Sequence, residues 1–445
     1  MTNAPAARTE TGSRSNGMRT RPARKNALPL LFLAPAALLL SVWIVYPMVV
    51  TFFRSLYDRS GVRWVGLQNY EALFSSDFLV TAIRNNALWV AVVPAVVTAL
   101  GLIFAVLTER VSWGVAFKTV IFMPMAISLF AAGIIWRIAY DKEPDRGVLN
   151  AATAAVYEVF DPAGRLAGAA PSSDDLRTES SGALAFANEL SPGQVAVLGL
   201  TQIQTGEVPK TAAPAARPAP VGTGIVGVVW RDFRPGGGTP GAIEKGELGL
   251  PDVVVELRNE RGETVAEATT ARNGAFTFKE IAGGEYVVAI AAESFSEPFE
   301  GISWLGEDLI TPAIMIAYTW VWAGFALVII AAGLASLPRE LLEAARLDGA
   351  NEWQVFRNIT VPLLAPVLTV VFVTMLINVL KVFDIVLAVA PASAQDDANV
   401  IALAMWRTAF GGAKDFGLGS AIAVFLLLLV LPVLVLNVRR FRRET

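Results

Sequence analysis

A polar interruption between two long apolar segments reads LPRELLEAARLDGA from Leu337 to Ala350. It predicts a helix that starts at Pro338 and stops at Gly349, because proline suits the first helical position and glycine suits a left-handed end. A second short helix is predicted through Trp353, ending at about Pro362. The two helices would form a helix-turn-helix lying on a membrane surface.

Six apolar stretches lie on the two sides of this loop. A hydrocarbon core of roughly 30 Å needs about 20 residues of helix, and in lipid every backbone polar group must be paired within its segment. The sequence therefore predicts an all-α membrane protein with three spans in residues 27–140 and three in 309–438. These transmembrane helices are expected at 28–53, 87–107, 115–135, 311–334, 362–390 and 417–438.

Lysine and arginine near the spans predict the orientation, because these residues collect on the cytoplasmic side. The tails at 1–26 and 439–445 are both basic and are expected in the cytoplasm. The loop at 337–362 then faces the cytoplasm too, and the segment between the third and fourth spans lies outside. The basic residues are Arg8, Arg14, Arg19, Arg21, Arg24 and Lys25 in the first tail, and Arg439, Arg440, Arg442 and Arg443 in the second.

The outside segment is too long to be a simple connection. Residues 141–207 are polar and weakly patterned and predict no particular fold, and 208–220 (VPKTAAPAARPAP) reads as an extended Pro/Ala linker. From 221 to 293 apolar residues alternate with polar ones between turn residues. Asn273-Gly274 in such a context indicates a hairpin. The sequence predicts an extracytoplasmic β-sandwich at 221–293, inserted between helices 3 and 4.

Composition excludes most enzyme classes. The chain of 445 residues is 54% hydrophobic and 17% charged, with net charge −3 and neither cysteine nor histidine. Disulfides, thiolate nucleophiles and Cys/His metal sites are therefore ruled out, and nucleic acid is not an expected partner. No catalytic residue and no metal ligand is predicted.

One nucleotide-binding pattern fails on context, and another is absent from the sequence. Gly222–Gly227 fits G-x-G-x-x-G but follows the Pro/Ala linker and enters a strand, whereas a dinucleotide site needs a preceding strand and a helix N-terminus. The chain has no G-x-x-x-x-G-K-[ST], so it has no phosphate cradle of its own.

The loop also carries a family signature. Glu343-Ala344-Ala345, followed by Gly349 and then by Ile359 and Pro362, resembles the EAA loop of permease subunits of binding-protein-dependent ABC importers. Val361 stands where that family usually has leucine. The segments 347–350 (LDGA) and 416–421 (FGLGSA) are similar to the carbohydrate branch, of the maltose and α-glucoside type.

The resemblance implies the fold of a type I ABC importer permease and a role as half of a sugar translocation pathway. It implies a heterodimer with a second permease subunit, an ABC ATPase dimer and an extracytoplasmic solute-binding protein, all working in the bacterial plasma membrane among its lipids. No cofactor is expected on this chain, because ATP and Mg²⁺ belong to the partner ATPase. The implied coupling residues are Glu343, Ala344, Ala345, Asp348, Gly349 and Ala350.

The fifth span contains polar residues that a membrane helix rarely carries. On one continuous helix Asn378, Lys381 and Asp384 would share a broad face. They are candidates for lining the sugar pathway, since charges in a span usually face a cavity. Alternatively Lys381 and Asp384, three residues apart, only neutralise one another.

The predicted sandwich is similar to the B-type repeats of Gram-positive surface adhesins, through segments 227–232, 246–250 and 255–258. Such repeats often bind calcium, but the corresponding loop at 234–238 (RPGGG) has no carboxylate, so no calcium site is expected. The alternative function is a membrane-anchored adhesin or wall-binding protein that displays the sandwich. A membrane enzyme acting on lipid or wall precursors is a second rival, without a carboxylate constellation to support it.

Overall fold

The computed structural model describes residues 27–109, 111–412 and 414–444, so the predicted N-terminal tail at 1–26 lies outside the described residues. The chain divides into two compact units. One unit comprises Met1–Gly133 and Ile314–Thr445, and the other is Ile134–Ala313.

Helices make up most of the first unit, and the helix at Val148–Phe160 belongs to the second. In chain order they are α1 (Ala27–Leu40), α2 (Tyr46–Arg54), α3 (Gln68–Ser75), α4 (Asp77–Glu109), α5 (Gly114–Phe122), α6 (Leu129–Ala139), α7 (Val148–Phe160), α8 (Ile310–Ala335), α9 (Arg339–Leu347), α10 (Glu352–Val355), α11 (Val361–Leu380), α12 (Asp384–Val389), α13 (Ile401–Phe410) and α14 (Phe416–Glu444). The backbone of the basic residues 439–443 continues α14.

Five helical segments in the described part of the chain are long and apolar enough to cross a membrane, and a bent helix pair brings the number to six if it is one span. The protein is therefore a mostly helical membrane protein with an inserted β-sheet region. The five segments are Phe32–Arg54, Asp77–Glu109, Ile310–Ala335, Glu352–Leu380 and Phe416–Val435.

The predicted third span is not one straight helix. Gly114–Ala126 and Leu129–Ala139 meet at 102°. The first arm tightens into a 3₁₀ turn at Met123–Ala126, which contains Pro124, and Ile127 is extended with ψ 142°. The hydroxyl oxygen of Ser128 then accepts a 3.2 Å hydrogen bond from the backbone N–H of Ala131 and caps α6. The prediction of a continuous helix at 115–135 was wrong because it considered only apolar content.

The predicted fifth span also differs. The helix expected to stop at Pro362 runs on without a break, from Glu352 to Leu380. A π turn at Phe356–Thr360 precedes Pro362, and such a widened turn accommodates a residue without a backbone N–H. The helix then ends at Leu380, and α12 starts again at Asp384, so the expected continuous span at 362–390 is broken.

Small residues let helices of the first unit pack closely, as is common in membranes. A Cβ built on Gly101 of α4 would lie 2.5 Å from the Cβ of Ala326 in α8. Likewise, one on Gly417 would lie 2.3 Å from the carbonyl oxygen of Tyr57, and one on Gly419 would lie 2.7 Å from the Cβ of Ala409. Both glycines of the 416–421 segment therefore mark places where a side chain does not fit.

The second unit contains two five-stranded sheets. The strands are β1 (Ala170–Pro171), β2 (Leu176–Thr178), β3 (Leu184–Phe186), β4 (Val195–Thr201), β5 (Ile225–Arg231), β6 (Leu248–Gly249), β7 (Val254–Asn259), β8 (Thr264–Thr269), β9 (Ala275–Phe278) and β10 (Tyr286–Ile290). One sheet has the order β1-β4-β5-β6 with β9 also paired to β5, and the other has the order β2-β3-β10-β7-β8. Leu198, Val229, Leu257 and Ile290 belong to one buried core shared by the two sheets.

Residues 141–207, for which the sequence predicts no fold, supply four of these strands and α7. β4 runs parallel to β5, with Val197 opposite Val228. The expected linker at 208–220 is extended but lies on the sheets, because Pro214 bridges to Leu248 and Val208 is buried in the shared core. The strands before and after this segment therefore form one structure.

The hairpin expected at Asn273-Gly274 is a crossing between sheets. The turn is tight, with Gly274 at φ +75°, but it connects β8 of one sheet to β9 of the other. The close hairpin lies between β7 and β8, where the backbone N–H of Gly262 donates to the carbonyl oxygen of Asn259 at 2.8 Å. Local turn chemistry does not specify which strands pair.

Candidate functional site

The turn after α9 has a complete helix-ending motif. Gly349 has φ +86°, a left-handed conformation that glycine adopts without strain. Its N–H donates to the carbonyl oxygen of Arg346 at 3.1 Å, and the N–H of Ala350 donates to that of Ala345 at 3.0 Å. This pair of bonds is the Schellman motif. The helix itself starts at Arg339, one residue later than predicted, with Pro338 extended before it.

The residues after this turn begin the next helix, α10, with a complete capping motif. The side chain of Asn351 accepts a 2.9 Å bond from the backbone N–H of Gln354, whose side chain accepts a 2.8 Å bond from the N–H of Asn351. This reciprocal pair is a capping box. An ion pair of 2.9 Å joins Arg346 of α9 to Glu352 of α10. The four residues 348–351 therefore form a fixed turn.

The predicted coupling residues all lie on α9 and this turn, and most are exposed. Glu343, Ala344, Asp348 and Gly349 are exposed, and the other two members, Ala345 and Ala350, are half-buried.

Sequence reasoning missed three large apolar side chains on the same loop. Leu347 is 89% exposed, and Trp353 and Leu341 are 64% and 47% exposed. The sequence feature that could have identified them is the presence of large apolar residues on a helix predicted to lie on a membrane surface. Exposed apolar groups on the two helices beside a fixed turn indicate a surface that contacts protein or membrane.

The predicted pathway residues lie where the fifth span breaks. Lys381 is the residue that ends α11, Phe383 has φ −147° and ψ −64°, and Asp384 starts α12. The side chains of Lys381 and Asp384 are exposed, and within the described ranges no ion pair connects them. Asn378 donates to the carbonyl oxygen of Thr374 on its own helix at 3.0 Å. The shared helical face that sequence geometry assumed does not extend past Leu380.

Two adjacent buried asparagines of α4 hydrogen-bond to the backbone at this break and beyond it, and sequence reasoning missed both. The Asn86 amide donates to the carbonyl oxygen of Leu380 at 3.3 Å and accepts from the backbone N–H of Ile401 at 2.7 Å. The Asn85 amide donates to the carbonyl oxygens of Asp397 and Asn399 at 2.6 and 2.9 Å. The sequence feature that could have identified them is two adjacent asparagines just before a long apolar run.

An aromatic pair lies beside the charged residues of the break. The rings of Phe383 and Trp406 have centroids 6.0 Å apart, and Trp406 is 40% exposed. On the same short helix as Trp406, Arg407 pairs with Asp396 at 2.6 Å and covers the ring of Phe78. The exposed Trp406 ring and the half-buried Phe383 ring, close in sequence to a lysine and an aspartate, combine apolar contact with hydrogen-bonding groups.

The described residues include no group of three or more Asp, Glu, His or Cys side chains placed to hold a metal ion. In the predicted non-binding loop, Arg234 pairs with Glu244 at 3.3 Å, and Gly236 and Gly237 turn with positive φ.

Two family models match the sequence. The model described as "Binding-protein-dependent transport system inner membrane component" matches residues 276–443. The model described as "SdrD B-like domain" matches residues 224–298. The second match covers β5 to β10 of the inserted sheets.

Long similarities to curated proteins extend over both units. The chain is 30% identical over 417 residues to the "Alpha-glucoside transport system permease protein AglF" of Rhizobium meliloti (strain 1021), covering 94% of this chain and 83% of that one. It is 27% identical over 415 residues to the "Osmoprotective compounds uptake permease protein GgtC" of Synechocystis sp. (strain ATCC 27184 / PCC 6803 / Kazusa), covering 93% and 99%.

The fold also occurs in a solved transporter. A chain of the bacterial ABC transporter involved in the import of the acidic polysaccharide alginate matches with a TM-score of 0.55 and 14% identity, over 95% of this chain and 97% of that one. At that identity the likeness concerns the fold alone. Together, the apolar helices, the loop and the long similarities show that this chain belongs to the family of inner membrane components of binding-protein-dependent transport systems, as a multi-pass permease subunit of an ABC importer that works with a separate ATPase and a binding protein.

Proposed function

We propose that this chain imports a carbohydrate, an α-glucoside or another oligosaccharide, as one half of a pathway completed by a second permease subunit. The name of the AglF relative supports the substrate class. The break in the fifth span supports it chemically. Aromatic rings such as Phe383 and Trp406 pack against the apolar faces of sugar rings, while amide and charged side chains hydrogen-bond to hydroxyl groups.

Asn378, Lys381 and Asp384 line the pathway in this proposal. Lys381 and Asp384 are exposed at a point where the helix is interrupted, and irregular backbone at membrane depth is tolerated where it faces a cavity or protein. The rival assignment as a neutralising pair requires a contact between the two charges. The absence of such an ion pair from the described residues favours the pathway.

The loop at 337–362 couples this chain to the ATPase. The observation that carries this assignment is the 89% exposed Leu347 on a helix whose end is fixed by the Schellman motif and the capping box. A single large apolar side chain held rigidly in water fits a preformed groove in a partner at low entropic cost. Glu343 and Asp348 supply charge at the edge of that contact.

The proposed topology has six spans with both termini in the cytoplasm. The basic tails support the orientation, and the bent pair formed by α5 and α6 counts as the third span. The sheets of 170–290 then lie on the extracytoplasmic side of the membrane, in the inserted domain between the third and fourth spans.

The adhesin alternative has one observation in its favour, the match of residues 224–298 to a B-like domain. Display of such a domain requires a single span. Several apolar helices, buried amides between them and an exposed loop with a fixed turn have no purpose in a simple anchor.

Reconstitution with the ATPase subunit tests the coupling assignment. Leu347→Ala and Glu343→Ala should each reduce co-purification of the ATPase and ATP-driven uptake, with unchanged membrane levels. Glu340→Ala is the matched control, because Glu340 is an exposed glutamate on the same helix, one turn before Glu343. Equal uptake and ATPase recovery in all three variants would reject the coupling role. A thermal-shift screen of the cognate binding protein against sugars would identify the substrate.

A further inference from the structure

Helix α7 presents an apolar face that is not covered in the described structure. Its 13 residues (VLNAATAAVYEVF) include one charged side chain, Glu158. With 100° per residue, positions 148, 152, 155 and 159 lie within about 60° of one another. Val159 and Phe160 are 76% and 83% exposed, and Val148 and Val156 are 64% and 60% exposed. None of the α7 residues belongs to the core shared by the two sheets.

The opposite face of α7 is firmly attached. Asn150 is fully buried, and its amide donates to the carbonyl oxygens of Asp141 and Ile302 at 2.8 and 2.9 Å. Its side-chain oxygen accepts from the backbone N–H of Ile302 at 2.8 Å. The rings of Tyr157 and Phe299 lie 5.4 Å apart. The orientation of the exposed face is therefore fixed.

The residues that hold α7 adjoin membrane helices. Asp141 follows the end of α6 by two residues, and Ile302 precedes the start of α8, an apolar helix long enough to span, by eight. Between them, the Tyr140 hydroxyl donates to the carbonyl oxygen of Ala313 in the first turn of α8 at 2.9 Å. The Tyr140 ring also contacts Trp136 and Trp304, at centroid distances of 5.2 and 5.8 Å.

Tyrosine and tryptophan residues clustered at a helix end are typical of the membrane–water interface. This cluster therefore marks the level at which α8 enters the membrane, and α7 is attached within a few residues of it. A helix of 13 residues, about 20 Å long, is too short to span the membrane itself.

We propose that α7 lies flat in the outer surface of the bilayer, with Val148, Ala152, Ala155, Val156, Val159 and Phe160 at the boundary between lipid headgroups and acyl chains. Its nearly uncharged composition and its attachment within a few residues of the ends of α6 and α8 support this placement. Amphipathic helices that bind membranes in this way bury their apolar face several ångströms deep. The exposed Lys142 and Arg146, which pair with Glu300 and Asp141, lie just before α7 at headgroup level.

Lipid exposure can be measured residue by residue because the chain contains no native cysteine. Val159→Cys and Ala155→Cys are labelled with a nitroxide in the full chain, assembled with its partners in phosphatidylcholine/phosphatidylglycerol liposomes. Collision rates with oxygen, which concentrates in lipid, are compared with those of a water-soluble nickel complex. Arg261→Cys, at the exposed tip of the β7–β8 hairpin, gives the value for water. Ile103→Cys, half-exposed on α4, is the reference within a span.

The proposal expects the oxygen-to-nickel ratio at 155 and 159 to rise above the Arg261→Cys value towards the Ile103→Cys value. A ratio equal to that of Arg261→Cys would place α7 in water and overturn the proposal. Low collision rates with both reagents would show a protein cover, such as the second permease subunit, and would overturn it as well. Ala155→Cys changes one small side chain for another, so the measurement does not depend on a variant that disrupts folding.

Discussion

The backbone N–H of Ala350 donates to the carbonyl oxygen of Ala345, and this 3.0 Å bond closes the end of α9 around Gly349. A Cβ built on Gly349 would meet no atom within 4 Å, so the glycine is required by its φ of +86° and not by crowding. The shape of the loop therefore depends on backbone conformation at one position.

Replacing Gly349 should uncouple transport from ATP hydrolysis without preventing insertion. Gly349→Ala places a Cβ in the left-handed region at a cost of about 1–2 kcal/mol, and the β-branched Gly349→Val costs more. We expect a graded loss of ATPase binding and uptake, with alanine milder than valine and Gly349→Asn mildest, since asparagine tolerates that region. Uptake by proteoliposomes and ATPase co-purification provide the measurement.

Gly412→Val is the matched control for this series. Gly412 also has open space around its Cβ position but lacks a positive φ. Normal sugar uptake by Gly349→Val, or an equal loss in Gly412→Val, would contradict the role of the turn in coupling.

Asn86 should be needed for both stability and transport. Asn86→Leu removes a donor to Leu380 and an acceptor for Ile401, and a buried group left without its partner costs about 1–3 kcal/mol. The thermal unfolding temperature in detergent and the rate of uptake should both decrease. Thr98→Ala is the control, because Thr98 bonds only within α4, to Pro94 at 2.7 Å; an Asn86→Leu protein as stable as Thr98→Ala would be inconsistent with a bracing role.

The charged residues at the break should act in transport individually. Lys381→Met and Asp384→Asn are each expected to lower uptake at normal membrane levels, because in the proposed pathway each side chain contacts the solute. The double variant should be at least as impaired as either single one. Lys279→Met, at an exposed lysine of the inserted domain, controls for loss of a charge. Recovery of full uptake in the double variant would instead support mutual neutralisation.

The parts of the fold set by composition and local backbone chemistry could be predicted from the sequence. Long apolar runs must form helices in lipid, and Gly349 ends a helix because few other residues adopt its conformation. The break near Lys381 could not be predicted this way. It depends on Asn86, whose partners Leu380 and Ile401 are 294 and 315 residues away in the chain.

The inserted domain shows the same limit in another form. β5 is buried along its whole length, so it lies between other elements on both faces. β4 is its parallel neighbour, and parallel pairing leaves no hairpin signal in the sequence. The strand pattern therefore became recognisable only after residue 221, although the domain begins about fifty residues earlier, at β1.

The pH dependence of the inserted domain should reveal the buried Glu247. Its side chain is 3% exposed, and burial, together with the nearby Asp232 and Glu244 carboxylates, raises its pKa above the ordinary value. The contribution of the protonated Glu247 side chain to folding stability is therefore fully present below the pKa of this group in the unfolded chain. That contribution is lost as the pH rises through the higher pKa of the folded chain. Glu247→Gln should stabilise the domain at neutral pH, by on the order of 1 kcal/mol, and have little effect below about pH 4.

This effect is measured by unfolding the full chain in urea and monitoring the unfolding by proteolytic cleavage within residues 225–250. Glu267→Gln, at an exposed glutamate of the same sheet system, is the control. A Glu247→Gln variant that is less stable at neutral pH than the unaltered chain would mean that the carboxylate is ionised and stabilising.

The inserted domain should be removable without loss of the transport core. Its two ends meet, because the backbone N–H groups of Gly164 and Leu166 donate to the carbonyl oxygens of Ser296 and Ser294, each at 2.8 Å. Its core is its own, since the buried cluster from Leu166 to Ile290 draws only on residues of the second unit. Replacing 165–295 with a short Gly/Ser linker therefore closes a small gap and should leave an inserted permease that still binds the ATPase.

Uptake by the shortened permease distinguishes two roles for the domain. If the domain holds the binding protein near the entrance of the pathway, the binding-protein concentration for half-maximal uptake should rise, because the local concentration of the complex falls. If the domain is a spacer or contacts the cell wall, that concentration stays the same. The control is a chain with the same linker inserted at 262, the exposed β7–β8 turn, which keeps the domain and tests the linker alone. An unchanged half-maximal concentration in the shortened permease excludes the docking role.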